Sequence, residues 1–228
     1  MIAQKREFYG GLGLFMGFLV VLVIIFLPIF KGLNVLEYLD SLYNSISKGS
    51  AYHIPKVREE ASKFKGNTVS VMLTMANKKQ VEQIAALFRA AAAEAAVTDL
   101  GLQVSGDLGE ILESCLTDAD AMYGNDGEKV AKKYGYDEKR VLFNWWQACK
   151  VMDKELKKQK KFKEAQVVAL VQKKALETSY NYYKIDPQKI GDRLGVVIFS
   201  LFFYVVYTLW YGFAVMFMFE GWGLRLTH

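Results

Sequence analysis

The sequence has few of the residues from which metal and redox sites are built. Its 228 residues include only two histidines and two cysteines, and no C-x-x-C pair occurs. Zinc and haem sites in proteins draw most of their ligands from these residue types at characteristic spacings. A histidine-based metal or haem site is therefore poorly supported, and we predict that the protein holds no metal and no cofactor.

Other chemical motifs are missing as well. No G-x-x-x-x-G-K-[ST] segment occurs, so the glycines do not form a phosphate-binding loop. The acidic stretch 118–129, DADAMYGNDGEK, lacks the ligand spacing of a calcium-binding loop and indicates an inter-helix turn instead. A Ser-His or Cys-His catalytic pair would have to use His53, which we expect to be an ordinary loop residue. We therefore predict that the protein is not an enzyme.

The charge pattern excludes one class of partner. Residues 32–193 carry 25 Lys and Arg against 22 Asp and Glu, which is only a mild basic surplus. Nucleic-acid-binding domains usually have a strong basic excess on one face or along one helix. We therefore predict no nucleic-acid partner.

Two long uncharged stretches dominate the apolar content. They cover 23 residues between Glu7 and Lys31 and 26 residues between Arg193 and Glu220. A helix needs about 20 apolar residues to cross a bilayer. The first stretch is longer than the ~7–15 residues of a signal peptide and ends in FLPIFKGLN, without a small-residue cleavage site. We predict two retained transmembrane helices, at 10–30 and 194–219.

Flanking charges indicate the orientation. Lys5 and Arg6 precede the first helix, and positive residues tend to remain in the cytoplasm. This predicts a protein of the cell inner membrane with both termini in the cytoplasm and the soluble domain outside it. The alternative, a cytoplasmic soluble domain, is favoured by the three cations that precede the second helix: Lys184, Lys189 and Arg193.

The region between the two stretches is helix-rich with a short β segment. Asn34 and Asn77 can each cap a helix, and Pro55 suits the first turn of another. Val69, Val71 and Leu73 alternate with polar residues, which indicates a strand. Next, AAVTDLGLQVSGD predicts one bent strand or two short ones. The apolar register breaks around residues 157–161, which indicates two helices or one kinked helix.

The fold class predicted is an α+β membrane protein, with two transmembrane helices flanking a helix-rich soluble domain that contains a small β-α-β unit. Its predicted segments are an N-terminal tail (1–9), the first transmembrane helix (10–30), a helical segment (32–66), the α/β unit (67–123), a second helical segment (124–190), the second transmembrane helix (194–219) and a C-terminal tail (220–228).

Small and aromatic residues predict where the transmembrane helices pack. Gly13 and Gly17 form a G-x-x-x-G motif, which lets two helix backbones approach closely. Tyr204, Tyr207 and Tyr211 lie at helical spacing in the second helix, where a hydroxyl needs a partner. We predict that these five residues face either the chain's own other helix or a helix of another subunit.

Two further pairs leave alternatives open. Trp145 and Trp146 point about 100° apart on a helix, so one is expected in the core. The other is a possible partner contact, since tryptophan is enriched at binding hot spots, although core packing of both is equally compatible. Cys115 and Cys149 could form a disulfide in an oxidising compartment or remain as buried free thiols.

No motif identifies a family. In architecture, two helices flanking an extracytoplasmic domain resemble the polysaccharide chain-length regulators, which would imply an oligomer, although the Pro-rich second helix of that family is absent here. The segment ending in LQVSGDLGEIL is similar to the small α/β domains of pilus-alignment proteins.

The main prediction is a non-catalytic, membrane-anchored scaffold or accessory subunit of a larger membrane complex, for example a respiratory or transport complex. Its predicted partners are other membrane protein subunits or further copies of itself, and the lipid bilayer. The alternatives are an extracytoplasmic ligand-sensing or ligand-binding domain and a chain-length-regulator-like oligomer.

Overall fold

The computed structural model describes residues 2–75, 77–98 and 101–224 of the chain. It is 72% helical and contains one three-stranded sheet, so the prediction of a helix-rich chain with a small sheet is confirmed. The chain divides into two compact units. The central unit is Lys48–Asp186, and the terminal unit combines Met1–Ser47 with Pro187–His228.

The terminal unit contains two helices that are long and apolar enough to cross a membrane. Helix α1 spans Lys5–Phe26 and helix α10 spans Leu194–Gly221, after a short 3-10 turn at Ile190–Arg193. Helix α1 begins at Lys5, earlier than the predicted 10–30. It ends at Phe26 because Leu27, which precedes a proline, adopts an extended backbone.

Helix α2 spans Val35–Ser50, and its last three residues belong to the central unit. Its first turn is closed by a reciprocal pair of hydrogen bonds. The Asn34 side chain accepts from the Glu37 backbone N–H at 2.9 Å, and the Glu37 carboxylate accepts from the Asn34 N–H at 2.9 Å. This is a capping box, and it confirms the predicted N-cap at Asn34.

The central unit arranges eight helical segments around the sheet. Two of the predicted start signals are confirmed: Pro55 lies in the first turn of α3, and the Asn77 side chain accepts from the Gln80 N–H at 2.9 Å to cap α4. The elements, in chain order, are α3 (Ile54–Ser62), β1 (Thr68–Leu73), α4 (Lys78–Ala90), β2 (Glu94–Thr98), β3 (Gly101–Asp107), α5 (Leu108–Tyr123), α6 (Gly127–Tyr134), α7 (Glu138–Lys158), α8 (Phe162–Val171), a π-helical segment (Gln172–Leu176) and α9 (Glu177–Tyr182).

The sheet has the order β1-β3-β2, and both pairings are antiparallel. The predicted strand–helix–strand unit is present as β1-α4-β2. However, β3 lies between its two strands, so β1 and β2 do not pair. The stretch predicted to form one bent strand or two short ones forms two strands, β2 and β3. Gly101 begins β3 at a φ of +139°, and a side chain there would collide with the Leu73 carbonyl oxygen.

One face of the sheet forms part of the core. The apolar side chains of β1, Val69, Val71 and Leu73, are fully buried, as are Leu102 and Val104 of β3. Helices α4 and α7 cover this face, which places the two tryptophans of α7 beside the core. The predicted break after α7 is confirmed, because the helix ends at Lys158 and Lys160 takes a left-handed φ of +62° before α8 begins.

Candidate functional site

The two adjacent tryptophans of α7 have different environments. Trp145 is fully buried, lies edge-on to Phe88 with 5.4 Å between ring centroids, and donates its indole N–H to Asp118 at 2.9 Å. Trp146 is only half-buried and donates its N–H to Glu177 at 2.8 Å. Of the two residues predicted as possible partner contacts, the structure therefore leaves Trp146 accessible and places Trp145 in the core.

Trp146 lines a groove of about 410 Å³ on the surface of the central unit. Two buried leucines, Leu142 and Leu176, belong to its lining, together with the stacked rings of Phe143 and Trp146, 6.1 Å apart. Tyr180, with 42% of its surface exposed, lies on α9. The volume falls within the range of roughly 300–1,000 Å³ typical of ligand-binding clefts. This Trp146 groove is the candidate functional site.

Each of the three aromatic rings of the groove has a cation over it. The Arg140 guanidinium lies 5.0 Å from the Phe143 ring centre, and the Lys150 ammonium lies 4.7 Å from the Trp146 ring. The Lys139 ammonium is 5.6 Å from the Tyr180 ring. Cations within about 6 Å of a ring face are attracted by its quadrupole. The groove is therefore apolar at its base, and three cations and one carboxylate, Glu177, lie around it.

A π-helical segment forms one side of the groove. Residues 172–176 adopt the wider turn, and this segment contributes Leu176 to the lining, with Glu177 following it directly. A π turn inserts an extra residue and changes the direction of the side chains after it, and such turns are frequent at functional sites. Nothing in the sequence signals this turn, because its residues, QKKAL, are ordinary helix formers.

A buried carboxylate organises the core behind the groove. Asp118, only 2% exposed, accepts from the Trp145 indole, from the Lys133 ammonium at 2.8 Å and from the Tyr134 hydroxyl at 2.6 Å. Because three donors satisfy its oxygens, the carboxylate is bound by its own neighbours. Asp118 lies inside α5, and the turn that the acidic stretch predicts begins only at Gly124.

A second polar cluster joins the two ends of the central unit. The Lys48 ammonium, almost fully buried, donates to the Asn125 side chain at 3.0 Å and to the Ile185 carbonyl at 2.6 Å. Asn125 also donates to the Ile185 carbonyl at 3.1 Å, and the Tyr123 hydroxyl donates to the Lys48 carbonyl. Burial lowers the pKa of Lys48, and the nearby Asp186 charge partly opposes that shift. The first and last residues of this unit are therefore held side by side.

The two cysteines are neighbours in the core. Cys115 and Cys149 are buried free thiols in this structure. Burial, followed by the hydrogen bond with Cys149, raises the pKa of Cys115 well above its usual value. A thiol with a raised pKa carries little of the reactive thiolate at neutral pH, so these residues have the environment of core thiols.

The helix-packing residues predicted in the terminal unit fall into two groups. Gly17 lies against the Trp210 ring, the Tyr207 hydroxyl donates to the Phe18 carbonyl at 3.0 Å, and Tyr211 lies 5.2 Å from the Phe18 ring. By contrast, a Cβ placed on Gly13 would meet no atom within 4 Å, and Tyr204 is 69% exposed. Gly17, Tyr207 and Tyr211 thus lie at the α1–α10 contact, whereas Gly13 and Tyr204 point away from it.

The backbones of the two helices also approach closely at residues outside the G-x-x-x-G motif. A Cβ on Gly11 would lie 2.7 Å from the Met218 backbone nitrogen and 2.8 Å from the Ala214 carbonyl oxygen. Nearby, the Trp210 indole donates to the Leu14 carbonyl at 3.0 Å. The glycine-rich stretch GGLG at 10–13 could have indicated a close helix contact. Which of its glycines faces α10 depends on the rotation of α1 about its axis.

Alkaline pH is expected to destabilise the protein. Burial is the main cause that raises the pKa values of Tyr123 and Tyr183 to about 12, and it also raises the pKa of Tyr134, which lies beside the Asp118 charge. The folded state then holds protons that the unfolded state loses near pH 10. This stabilisation is complete below about pH 10 and is lost as the pH rises through the folded-state values.

We expect the free energy of unfolding to fall by about 2 kcal/mol between about pH 9 and about pH 11. Urea unfolding of the detergent-solubilised chain at both pH values measures this difference, and ultraviolet absorbance of phenolate follows the titration. The lowered pKa of Lys48 opposes this fall in the free energy of unfolding. The three tyrosines together outweigh this single lysine. The Tyr134→Phe variant should show a smaller fall, and equal unfolding midpoints at the two pH values would contradict the prediction.

No family model, no curated protein and no solved structure matches the chain.

Proposed function

We propose that the protein is a two-pass membrane protein that acts as a non-catalytic scaffold or accessory subunit of a larger membrane complex. One observation carries the proposal: the two long apolar helices have few buried residues. Only 6% of the apolar stretch in Lys5–Phe26 and 0% of that in Ile190–Gly221 are buried in the chain. A core helix of a soluble protein would be mostly covered, whereas a bilayer covers such surfaces.

The pairing of the two helices supports retention of α1 as an anchor. Helix α10 follows the central unit in the chain and packs against α1. Helix α1 is its packing partner through Gly11, through the Tyr207–Phe18 hydrogen bond and through the backbone of Ala3 and Gln4, whose N–H groups donate to the Gly221 carbonyl at 2.9 Å. Removal of α1 as a signal peptide would leave this α10 surface without its partner.

The outward surfaces of the helix pair suit lipid or the helices of other subunits. Large apolar side chains on both helices remain exposed, among them Val23, Phe199, Phe202 and Tyr204. Packing against other helices stabilises such surfaces in a membrane mainly through close van der Waals contact and interhelical hydrogen bonds. The Trp146 groove gives the central unit a second accessible surface for a neighbouring subunit.

The proposed orientation places both termini in the cytoplasm and the central unit outside it, in the cell inner membrane. It is supported by Lys5 and Arg6 ahead of α1, because the first helix usually dominates topology and long domains translocate largely regardless of charge. Protease treatment of intact spheroplasts tests it. Digestion of the central unit from outside is the expected result, and protection of that unit with digestion only after lysis would reverse the orientation.

Two measurements test the function. After alkaline carbonate extraction the chain should remain with the membrane pellet, and release into the supernatant would exclude two-pass anchoring. After mild-detergent purification at native expression level, other membrane subunits should co-elute in a fixed ratio. A lone monomer would overturn the scaffold proposal, and an assembly of this chain alone would favour the chain-length-regulator-like oligomer instead.

A further inference from the structure

The rim of the Trp146 groove carries three cations that form no ion pair within the described part of the chain. Within residues 2–75, 77–98 and 101–224, no carboxylate lies within ion-pair distance of Lys139, Arg140 or Lys150. Two acidic side chains of this region, Glu177 and Glu138, already have other partners. Glu177 accepts from the Trp146 indole, and Glu138 accepts from Tyr183 and pairs with Lys184.

The base of the same groove is apolar and preformed. Leu142 and Leu176 are each 1% exposed, so their positions are held by the core. The stacked pair of Phe143 and Trp146 forms a wall on α7. A bulky apolar side chain entering this groove would displace water from the half-buried Phe143 and Trp146 rings and from Tyr180, which is 42% exposed. Aromatic residues in such pockets are typical anchors of protein interfaces.

We propose that the Trp146 groove binds an acidic segment of a partner protein, with an apolar side chain in the groove and flanking carboxylates against Lys139, Arg140 and Lys150. The inference rests on the proposed function, in which the central unit contacts another subunit. It is an argument from charge complementarity: an apolar groove ringed by unpaired cations favours a ligand with the opposite charge at its edges and an apolar centre.

The ring contacts favour a peptide over a nucleic acid. Single-stranded nucleic acids bind by stacking bases on free aromatic faces within a strongly basic groove. In this groove Phe143 stacks on Trp146, and Lys150 and Arg140 lie over the two rings. The faces that make these contacts are closed to a stacking base, whereas the remaining accessible parts of both rings can still contact an apolar side chain. The mild basic surplus of residues 32–193 also lacks the excess expected of a nucleic-acid-binding surface.

The π-helical segment is a second observation at the same place. Without the extra residue of the wider turn at 172–176, α9 would be rotated relative to α7, and Glu177 would not keep its present relation to the Trp146 indole. The turn thus holds Leu176 in the groove lining and directs the Glu177 carboxylate toward the Trp146 indole. Glu177 remains anionic, and the three cations around the groove outnumber it.

Fluorescence anisotropy on the full chain in detergent tests the proposal. The probe is a fluorescein-labelled peptide, EDEFLEDE, with EDEAAEDE, KRKFLKRK and a labelled oligothymidine as matched comparisons. We expect saturable binding of EDEFLEDE that weakens as salt is raised, with each of the two comparison peptides at least about tenfold weaker. Equal binding of all peptides, no saturable binding of EDEFLEDE, or tighter binding of the oligothymidine would overturn the proposal.

Variants locate the binding on the groove. Lys150→Glu changes an exposed rim residue and should weaken EDEFLEDE binding about tenfold or more, and Trp146→Ala should do the same, with Trp146→Phe in between. Lys132→Glu is the matched control, since Lys132 is an exposed lysine on α6, and it should leave the affinity within about twofold. Thermal unfolding shows whether each variant is folded, and Lys150→Glu keeps the test valid if Trp146→Ala is not.

Failure of this inference can be told apart from failure of the proposed function. If the chain remains in the membrane with co-purifying subunits but the peptide does not bind, the groove is not the docking site. The proposed function as a membrane-anchored subunit is then still supported. If the peptide binds but the chain is released by carbonate, the groove is a docking site of a protein that is not a two-pass subunit.

Discussion

Replacement of Asp118 by alanine is expected to lower the free energy of unfolding by about 3 kcal/mol. The carboxylate is buried and accepts from the Trp145 indole, the Tyr134 hydroxyl and the Lys133 ammonium. Its removal leaves the indole N–H, which is fully buried, without an acceptor, and each such group costs about 1–3 kcal/mol. Lys133 is partly exposed and can return to water, so the buried Trp145 indole and the half-buried Tyr134 hydroxyl carry most of the expected loss.

The measurement is thermal unfolding of the full chain in detergent. A loss of about 3 kcal/mol corresponds to a fall in the midpoint of roughly 10 °C for a domain of this size. Asp118→Asn keeps one acceptor oxygen and should lose about half as much. Glu128→Ala is the control, because Glu128 forms an exposed ion pair with Lys132 and should change the midpoint by no more than about 2 °C. An unchanged midpoint for Asp118→Ala would show that water replaces the carboxylate.

Substitution of Gly11 by leucine is expected to separate α1 from α10. A Cβ at this position would lie 2.7 Å from one backbone atom of α10 and 2.8 Å from another, and backbone cannot move aside as a side chain can. The helices must therefore part, and the Tyr207–Phe18 and Trp210–Leu14 hydrogen bonds lengthen with them. Overpacking of a tight contact costs typically about 1–3 kcal/mol, and here the loss of the neighbouring contacts adds to it.

Spin labels on the exposed positions Tyr9 and Phe219 report the separation, since both native cysteines are buried. In Gly11→Leu the distance distribution between the labels should broaden and shift to longer values. Gly13→Leu adds the same side chain where no atom lies within 4 Å, and its distribution should match the parent. If the two variants behave alike, the contact does not pass through Gly11.

Much of the fold could be predicted from the sequence because it depends on local patterns. The caps at Asn34 and Asn77, the alternating strand from Val69 to Leu73 and the break after Lys158 each depend on a few consecutive residues. The strand order could not be predicted in this way, since β3 lies between β1 and β2 through hydrogen bonds between residues distant in the chain.

The candidate site depended more on tertiary structure. The sequence indicated that Trp145 and Trp146 point in different directions but not which one is buried, because that depends on the rotation of α7 against the sheet. It identified no role for Phe143, Tyr180 or Lys150, which come together only when the π turn at 172–176 sets the direction of α9.

By itself the sequence determined two uncharged stretches of membrane-spanning length, a helix-rich middle with a short strand segment, and the charges at either end of the first stretch. These are one-dimensional properties, set by composition and by spacing along the chain. Only the tertiary structure decided that Gly11 rather than Gly13 meets α10, that Asp118 is a buried acceptor, and that Trp146 faces solvent beside unpaired cations. Contacts of this kind depend on how helices rotate and which surfaces they cover, and long-range packing sets both.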